Sequence, residues 1–403
     1  MERPELRVSG GVYLLLWEQE HLSIRIDRID EDSHHLVSGE ITIRSVMPNR
    51  HLHQARLNLT STIARKTLVR AMEEIWSGHD WPSAIEYAAV LVLEKYREGE
   101  PAKRVEDIPK REGLTYRIYP FIMERQPNLL FGPGGIAKSF LGQWWSVLVD
   151  MGAQTPLACE PGKVLYLDYE TDEDDFVNRI EKIQAGMDEE GRFLASNVYY
   201  RFCAQPLAHD IAAIERICAE IGVNFLVVDS AGPACGGDLE DPRSVLRYFS
   251  ALRALKLTSL TIGHTQKNAD VKTPLGSTYW INAPRRIWQA KGSQEEGDHE
   301  STIVLSDFKR NSTERVAPAA FRFKFEQDCI RIERADTRGI PEALDAMGLR
   351  ERVKVVLADG ARDSKEIAEA LREREDVVRM TLSRGREKGV FRRLAGYKWG
   401  LSS

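Results

Sequence analysis

The sequence predicts an α/β protein with a mostly parallel central sheet, a small N-terminal α+β domain and a C-terminal winged helix. Three observations predict it. Strand-like and helix-like segments alternate between about residues 120 and 335. A glycine-rich loop follows the first apolar strand of that region, and the last sixty residues change to short helices and a hairpin. At 403 residues, the chain is long enough for two or three domains.

Composition places the chain among soluble globular proteins, with 42% hydrophobic and 29% charged residues. Its net charge of −5 gives no global attraction for nucleic acid, so such a role would need local patches. Five cysteines without a C-x-x-C pair argue against a zinc site or a disulfide framework and fit a reducing cytoplasm. No apolar run is long enough to cross a bilayer, and the start "MERPELR" is unlike a signal peptide. We therefore expect a cytoplasmic protein without a membrane partner.

Residues 1–105 are expected to form the N-terminal domain. Alternating apolar residues at 22–29 and 40–46 predict half-buried strands. Apolar residues at three- and four-residue spacing predict helices over 61–76 and 82–98. The polar, proline-bearing stretch that follows predicts a linker, placed at 106–120.

Residues 121–338 are expected to form the α/β domain. The predicted strands are 128–131, 163–168, 198–202, 224–229 and 259–263, followed by an antiparallel extension at 301–310, 319–326 and 329–335. The predicted helices between them are 139–152, 173–187, 211–222 and 242–255.

Residues 344–403 are expected to form the winged helix, because three short helices precede the hairpin-like "VFRRLAGYKWGL". From residue 377 onward this segment has seven basic residues against one acidic residue. The basic residues lie on the third helix and the hairpin, the parts of such a fold that contact DNA. An alternative is a solvated face or a protein-binding winged helix.

The stretch "GPGGIAKS" at 132–139 resembles the phosphate-binding pattern G-x-x-x-x-G-K-[ST], with Ala137 in place of the second glycine. It lies between an apolar strand and a helix, where backbone N–H groups and the helix dipole attract phosphate. Lys138 would reach the β- and γ-phosphates, and Ser139 would hold Mg²⁺. We expect negative φ at Ala137, next to the helix start; the alternative is a chance glycine-rich turn. The predicted nucleotide-binding residues are Gly132, Pro133, Gly134, Gly135, Ile136, Ala137, Lys138, Ser139 and Phe140.

Polar residues at the ends of later strands supply candidates for the remaining chemistry. Asp229 ends "NFLVVD" and could hold Mg²⁺, or it could cap the next helix. Glu170 follows "VLYLD" and could activate the attacking water, although acidic residues are also common at helix starts. Asp168 is a weaker candidate for that base. His264 could sense the γ-phosphate, or it could be a structural histidine.

Together, residues 132–139, the strand ending at Glu170, "LVVDS" and "GHTQK" resemble the RecA-like ATPases. The resemblance is to the branch with the plasmid RepA hexameric helicases, related to the DnaB replicative helicases, and covers about 120–330. It implies a RecA-like fold, ATP hydrolysis with Mg²⁺ and a hexameric ring that moves on nucleic acid. It also implies roles for Glu170 as catalytic glutamate, Asp229 as metal ligand and His264 as sensor.

The stretch "SDFKRNS" resembles the basic element that DnaB-like proteins insert into the neighbouring subunit's site. Lys309 and Arg310 would then act in trans and stabilise charge on the transferred phosphoryl group. The spacing departs from the family's lysine-x-arginine form, as Ala137 departs from its glycine. An exposed basic strand edge is the alternative.

Nucleic acid is the expected partner. In a ring, the loops 231–243 and 266–277 would face the channel, and the second carries Lys267 and Lys272. The first loop is acidic, and both could be ordinary loops. The other predicted DNA-binding residues, all in the C-terminal segment, are Arg379, Arg384, Arg386, Lys388, Arg392 and Arg393.

The sequence therefore favours a ring-forming, ATP-hydrolysing DNA motor, a replicative helicase of a plasmid, phage or mobile element. Two other functions stay open. One is a RecA-like ATPase that does not unwind DNA, such as a recombination mediator. The other is a DNA-binding regulator whose oligomeric state is switched by nucleotide.

Overall fold

The structure is a computed structural model. It describes residues 1–9, 11–32, 34–99, 102, 104–109, 115–187, 197–265, 273–274, 276–293, 299–310, 316–337 and 340–402. The chain divides into two compact units, one formed by 1–113 with 209–222 and the other by 114–208 with 223–403. Elements are numbered in chain order across both units.

The first unit contains a five-stranded antiparallel sheet in sequential order. Its strands are β1 (Glu5–Ser9), β2 (Val12–Trp17), β3 (Leu22–Glu31), β4 (Val37–Ser45) and β5 (Arg50–Asn58). The helices of this unit are α1 (Thr62–Ile75), α2 (Trp81–Glu98) and α5 (Ile211–Ile221). A short 3-10 turn covers Val105–Asp107.

The alternation of side chains forms the core of this unit. On β3, Leu22, Ile24 and Ile26 are fully buried while the residues between them are only partly covered, as period-two patterning requires. These side chains join a cluster that includes Trp81 and Val92 of α2. The sheet therefore packs one face against helices, as the N-terminal pattern predicts.

The second unit is built on a nine-stranded sheet. In spatial order the strands are β10 (Val198–Phe202), β9 (Lys163–Asp168), β11 (Val223–Asp229), β12 (Thr258–His264), β8 (Pro127–Gly132), β13 (Arg286–Ser293), β14 (Glu300–Arg310), β15 (Ala319–Phe325) and β16 (Ile330–Ala335). The pairs from β10 to β13 are parallel, and β13 to β16 pair antiparallel. The predicted α/β core with a largely parallel sheet is confirmed.

Helices accompany this sheet. They are α3 (Lys138–Met151), α4 (Glu173–Met187), α6 (Ala231–Cys235), α7 (Pro242–Ala254) and α8 (Tyr279–Asn282). Helix α3 is almost entirely covered, with Trp144 and Trp145 essentially inaccessible. A small hairpin, β6 (Tyr116–Ile118) with β7 (Ile122–Met123), precedes the first core strand.

The last part of the unit consists of helices and a two-stranded hairpin. The elements are α9 (Pro341–Ala346), α10 (Leu349–Ala358), α11 (Ser364–Leu371), α12 (Glu375–Glu387), β17 (Phe391–Arg393) and β18 (Trp399–Leu401), with a 3-10 turn at Ala395–Tyr397. Val353, Ile367, Leu382 and Phe391 share one apolar cluster here. Gly385 lies so close to Phe391 that an added Cβ would stand 2.2 Å from its ring, so the hairpin packs directly on α12.

Strand β13 is the main core element that the sequence pattern missed. Its sequence "RIWQAKGS" begins with a charged residue and does not alternate simply. It pairs in parallel with β8 and antiparallel with β14, so it connects the two parts of the sheet. Within the described residues, no helix is long and apolar enough to cross a membrane.

Candidate nucleotide-binding site

Four parallel strands deliver polar residues to one edge of the large sheet. Register places Gly132, at the end of β8, opposite His264, at the end of β12. It also places Asp229, at the end of β11, opposite Asp168, at the end of β9. Because the carboxyl ends of parallel strands share an edge, these residues form one site, where ligands bind in open α/β sheets.

The loop between β8 and α3 requires glycine at two positions. A Cβ on Gly132 would stand 2.4 Å from the Ala290 carbonyl oxygen of β13, so no side chain fits there. Gly135 has φ of +75°, a left-handed conformation that glycine adopts without strain. The loop therefore keeps its backbone exposed and free of side chains where an anion would approach.

The expectation of negative φ at Ala137 is wrong. Ala137 has φ of +61° and ψ of 25°, which is left-handed, and it occupies the cap position before α3. Proximity to a helix start does not guarantee helical dihedrals, because the residue before the first turn redirects the chain. A methyl group in this conformation costs about 1 kcal/mol relative to glycine. Ala137 is thus tolerated in the loop at a cost in conformational energy.

Lys138 is the first residue of α3 and is almost fully buried, at 4% exposed. Its ammonium group donates to the backbone carbonyl of Pro133, across the loop. Burial lowers the pKa of Lys138 to about 8, while Asp229 and Glu170 act in the opposite direction. The loop thus holds a desolvated cation inside its own curve, where a phosphate would provide a counter-charge.

Asp229 is buried at 5% exposure, and its two carboxylate oxygens differ. Oδ2 accepts a hydrogen bond of 2.6 Å from the hydroxyl of Tyr166 on β9. Oδ1 is buried without a hydrogen-bond partner among the described residues. Burial raises the pKa of Asp229, while Tyr166 and Ser139 lower it. One oxygen is therefore fixed, and the other is left for an additional ligand.

Glu170 lies beyond the end of β9, and its side chain is 40% exposed among polar neighbours. Its Oε1 accepts from the Ser230 hydroxyl and lies 3.6 Å from Nε2 of His264. The pKa of Glu170 is held below its usual range, first by His264 and also by Ser230, while burial opposes this. The carboxylate is thus ionised and accessible, as a base that accepts a proton from water requires.

Asp168 has a local structural function. Its Oδ1 accepts from the backbone N–H groups of Glu170 (2.9 Å) and Thr171 (3.0 Å), and its Oδ2 accepts from the Thr171 hydroxyl. With both oxygens occupied and only 2% exposure, Asp168 fixes the turn that presents Glu170.

Two residues of the predicted nucleotide-binding stretch direct their side chains away from the loop. Ile136 is buried in the core cluster of the sheet. The ring of Phe140 packs against Phe325 at 5.2 Å and beneath the guanidinium of Arg179 at 4.9 Å. Their contribution to an anion site is limited to backbone groups, whereas Pro133 and Gly134 are exposed on the loop.

Lys309 and Arg310 both have partners within their own chain. The ammonium of Lys309 donates to the carbonyls of Ile281 (2.7 Å), Asn282 (3.0 Å) and Pro284 (2.9 Å), around the end of α8. A role in a neighbouring subunit would require Lys309 to give up all three bonds. Arg310 is one-third exposed and lies 3.5 Å from Asp307.

Asp307 connects the strands around Arg310. It is almost inaccessible, and its Oδ1 lies 3.6 Å from the fully buried Arg286 at the start of β13. Its Oδ2 accepts from the backbone N–H of Val316 at 3.1 Å and faces Arg310. The Asp307 carboxylate therefore connects the end of β14 to Val316, which precedes β15.

The predicted DNA-binding residues of the C-terminal segment are all exposed but do not share one surface. On α12, Arg384 and Arg386 are separated by about 200° of helical rotation, whereas Arg379 and Arg386 lie within about 20° of each other. Arg393 of β17 lies over the ring of the exposed Tyr397 at 5.4 Å. Lys267 and Lys272, with most of the loop 266–277, lie outside the described residues. The loop 231–243 begins with α6 and leads into α7.

Sequence reasoning missed Tyr166 and Ser230. Tyr166 interrupts the aliphatic run "VLYLD", and a buried phenol requires a hydrogen-bond partner, which could have directed attention to it. Ser230 directly follows Asp229 and gave no separate signal. Both are side chains that orient a carboxylate proposed to act in the reaction.

Mg²⁺ and a nucleotide triphosphate can be tested against this set of residues. The lone Oδ1 of Asp229 and the Ser139 hydroxyl are oxygen donors of the kind that Mg²⁺ prefers. The glycine loop and the buried Lys138 suit phosphate oxygens. The residues therefore fit both groups: Ser139 and Asp229 would hold the metal, and residues 132–139 would hold the phosphates.

Comparison with known proteins agrees with this geometry. No curated protein matches the chain. Residues 100–270 match the family model described as an AAA domain, and that range contains the loop, Glu170, Asp229 and His264. Domains of this kind imply the use of nucleotide, typically with Mg²⁺, and suggest nucleotide hydrolysis. The match over residues 100–270 thus supports a P-loop AAA/RecA-like ATPase domain in this part of the chain.

Proposed function

We propose that this chain is an ATP-hydrolysing, ring-forming DNA motor, a cytoplasmic replicative helicase of a plasmid, phage or mobile element. The observation that carries the ATPase part is the meeting of Lys138, Asp229, Glu170 and His264 at one sheet edge. The match to an AAA domain supports the same part. The motor part rests on the resemblance to RepA- and DnaB-like helicases and on the position of Arg310.

The side chains divide the chemistry among themselves. The loop N–H groups and Lys138 bind the β- and γ-phosphates, with His264 next to the base to detect loss of the γ-phosphate. Glu170 accepts a proton from the attacking water. The Ser230 hydroxyl donates to the Glu170 carboxylate and orients it. Mg²⁺, held by Ser139 and Asp229, would neutralise charge on the phosphates.

Ring formation gives the exposed basic element a function. A guanidinium that reaches the neighbouring site stabilises charge on the phosphoryl group in transfer, and its absence lowers hydrolysis strongly. Arg310 suits this role because its side chain is partly exposed at the end of β14. Lys309 would instead hold the end of α8 in place beside it. In this proposal the functional unit is a homo-oligomer, a hexamer by resemblance.

A second function is favoured by a specific observation, the exposed basic residues of α12 and β17. If α10 to β18 is a winged helix that binds duplex DNA, the ATPase could serve to switch the oligomeric state of a regulator. Such a protein would bind one duplex sequence tightly and hydrolyse ATP slowly.

The test is ATP hydrolysis by the purified chain with and without single-stranded DNA. Lys138→Ala should abolish the activity, and Lys163→Ala, an exposed lysine at the start of β9, should not change it. Strong stimulation by DNA, lost only in Lys138→Ala, is the result we expect, and strand displacement would be measured next. An equal rate of ATP hydrolysis with and without single-stranded DNA would overturn the motor proposal and favour the regulator.

A further inference from the structure

A cleft of about 730 Å³ lies between the sheet and the C-terminal helices of the second unit. One wall is the connection between β14 and β15, at Val316, Ala317 and Pro318. The opposite wall is formed by α10 and α12, and the turn before α10 closes one side. The nucleotide-site residues are absent from its lining, so the cleft is a separate feature.

The cleft is strongly cationic. The cations that line it are Arg350 and Lys354 of α10, Arg384 of α12 and Lys388, the residue that caps the end of α12. One carboxylate, Glu351, lies among them. Glu351 forms ion pairs with both α10 cations, at 3.3 Å and 3.0 Å. In the part of the chain that the structure describes, Arg384 and Lys388 form no ion pair. The net charge of the lining is therefore positive, and its uncompensated part lies on α12.

The arrangement of the cations is periodic. Within each pair the two residues are four apart, and Lys388 directly follows the last residue of α12, so the members of each pair lie on one side of their helix about 6 Å apart along its axis. Two such pairs facing one cleft suit a polymer with anions repeated at similar intervals better than one compact anion. Apolar side chains between them, among them Val316, Met347 and Leu349, offer contacts for bases.

We propose that this cleft binds single-stranded nucleic acid, with backbone phosphates along Arg384 and Lys388 and bases against the apolar lining. A single strand fits this lining better than a duplex, because its unpaired bases are free to contact apolar side chains while its phosphates lie on the cations. The proposal rests on the proposed function in one respect, that the chain binds nucleic acid. It assigns Arg384 and Lys388 to a different surface from Arg386 and Arg392, which face outward.

The experiment compares two charge reversals of equal size. The cleft variant is Arg384→Glu with Lys388→Glu, and the matched control is Arg386→Glu with Arg392→Glu, on the outward surface of α12 and β17. Binding of a labelled oligo-dT is measured by fluorescence anisotropy over a range of salt concentrations. Thermal unfolding of both variants checks the fold, and Arg384→Gln with Lys388→Gln replaces the cleft variant if it unfolds.

We expect the cleft variant to weaken oligo-dT binding about tenfold or more and to reduce the salt slope by about 1.4, the loss of two single-strand phosphate contacts. The control should change the affinity by about threefold or less. Equal losses in both variants, or a larger loss in the control, would overturn the proposal. Competition by tripolyphosphate as effective as that by oligo-dT would overturn it in favour of a small-anion site.

The same data separate this proposal from the proposed function. If the wild-type protein binds oligo-dT and the cleft variant binds equally well, only the cleft assignment fails. If the wild-type protein binds no oligo-dT, the DNA motor fails with it, whatever the rate of ATP hydrolysis.

Discussion

The nucleotide-site edge of the sheet and the outward basic surface of α12 and β17 hold their charges in opposite ways. At the sheet edge, Lys138 and Asp229 are buried, and each is oriented by a hydrogen bond to a fixed partner. On the outward surface, Arg386 and Arg392 are exposed, and the described residues give them no ion pair. Binding at the nucleotide site is therefore expected to depend on the exact geometry of its side chains, and binding at the outward surface on the number of positive charges.

This difference teaches how each region should respond to substitution. Where charges are desolvated, each interaction is strong and losing one leaves a partner unsatisfied, so effects are large and not additive. Where charges are exposed, water and salt screen them, so effects are small and add.

Glu170→Gln should have the largest effect. Gln keeps an oxygen for the Ser230 hydroxyl but cannot accept a proton from water, so the hydrolysis rate should fall by about 10²–10⁴. ATP affinity should stay within about threefold of the wild type, and Glu173→Gln, on an exposed residue of α4, is the control. Steady-state hydrolysis and equilibrium nucleotide binding measure the two quantities. A variant that kept a tenth of the activity would exclude Glu170 as the base.

Tyr166→Phe should raise the Mg²⁺ concentration for half-maximal nucleotide binding by about tenfold, because the Asp229 carboxylate loses its orienting partner. Nucleotide binding in EDTA should not change. Tyr200→Phe is the matched control, because both tyrosines pack against Phe176, at 4.9 and 4.7 Å, and the Tyr200 hydroxyl has no hydrogen-bond partner among the described residues. Calorimetric titrations measure the effect, and equal shifts in both variants would argue for packing alone.

Lys138 predicts a dependence on pH. Its pKa is lowered to about 8, so the unliganded site loses this cation as pH rises through 8. Affinity for a non-hydrolysable ATP analogue should fall by up to about tenfold between pH 7 and 9. Between about 8 and 10.5 the unfolded chain binds more protons than the folded chain, so the free energy of unfolding should rise with pH.

Lys138→Arg distinguishes this cause from others, because arginine stays charged over the whole range. Its affinity for the analogue, measured by the same calorimetry, should be nearly flat with pH. A profile as steep as that of the wild type would assign the titration to another group.

Arg386→Gln and Arg392→Gln should have the smallest effects. Each should weaken duplex DNA binding by about two- to threefold, and the double variant should show the product of the two. Anisotropy at fixed salt measures this. A tenfold loss of duplex DNA affinity in either single variant would contradict this prediction, because it would indicate a geometry-dependent contact on this surface.

The sequence predicted the parallel core well because its strands are short, apolar and bounded by turn residues. The strands at 163–168 and 198–202 have the same limits in the structure. Strand β13 was not predicted, because its burial results from pairing with two neighbouring strands and not from its own residue pattern. In the first unit, the sequence analysis did not predict β1, β2 and β5. Strand β5 alternates poorly, and only its Leu57 is buried.

Of the candidate site, the sequence predicted which residues lie at the strand ends, and it missed what orients them. The partnerships of Tyr166 with Asp229 and of Ser230 with Glu170 join residues about sixty positions apart. The conformation of Ala137 is likewise set by the path of the loop, so local propensity pointed to the wrong dihedral. Contacts between distant positions are fixed by tertiary packing, which a local pattern does not contain.

The left-handed conformation of Ala137 separates the conformational cost of shaping the loop from the binding of a nucleotide. The conformational cost of about 1 kcal/mol is met when the chain folds, before any nucleotide arrives. Since the loop then has little left to rearrange, less of the binding energy of a phosphate is consumed in shaping it. At this position the choice of side chain is narrow, because a β-branched residue could not adopt the dihedral. Ala137 makes the loop a preorganised receptor whose shape is supplied by folding.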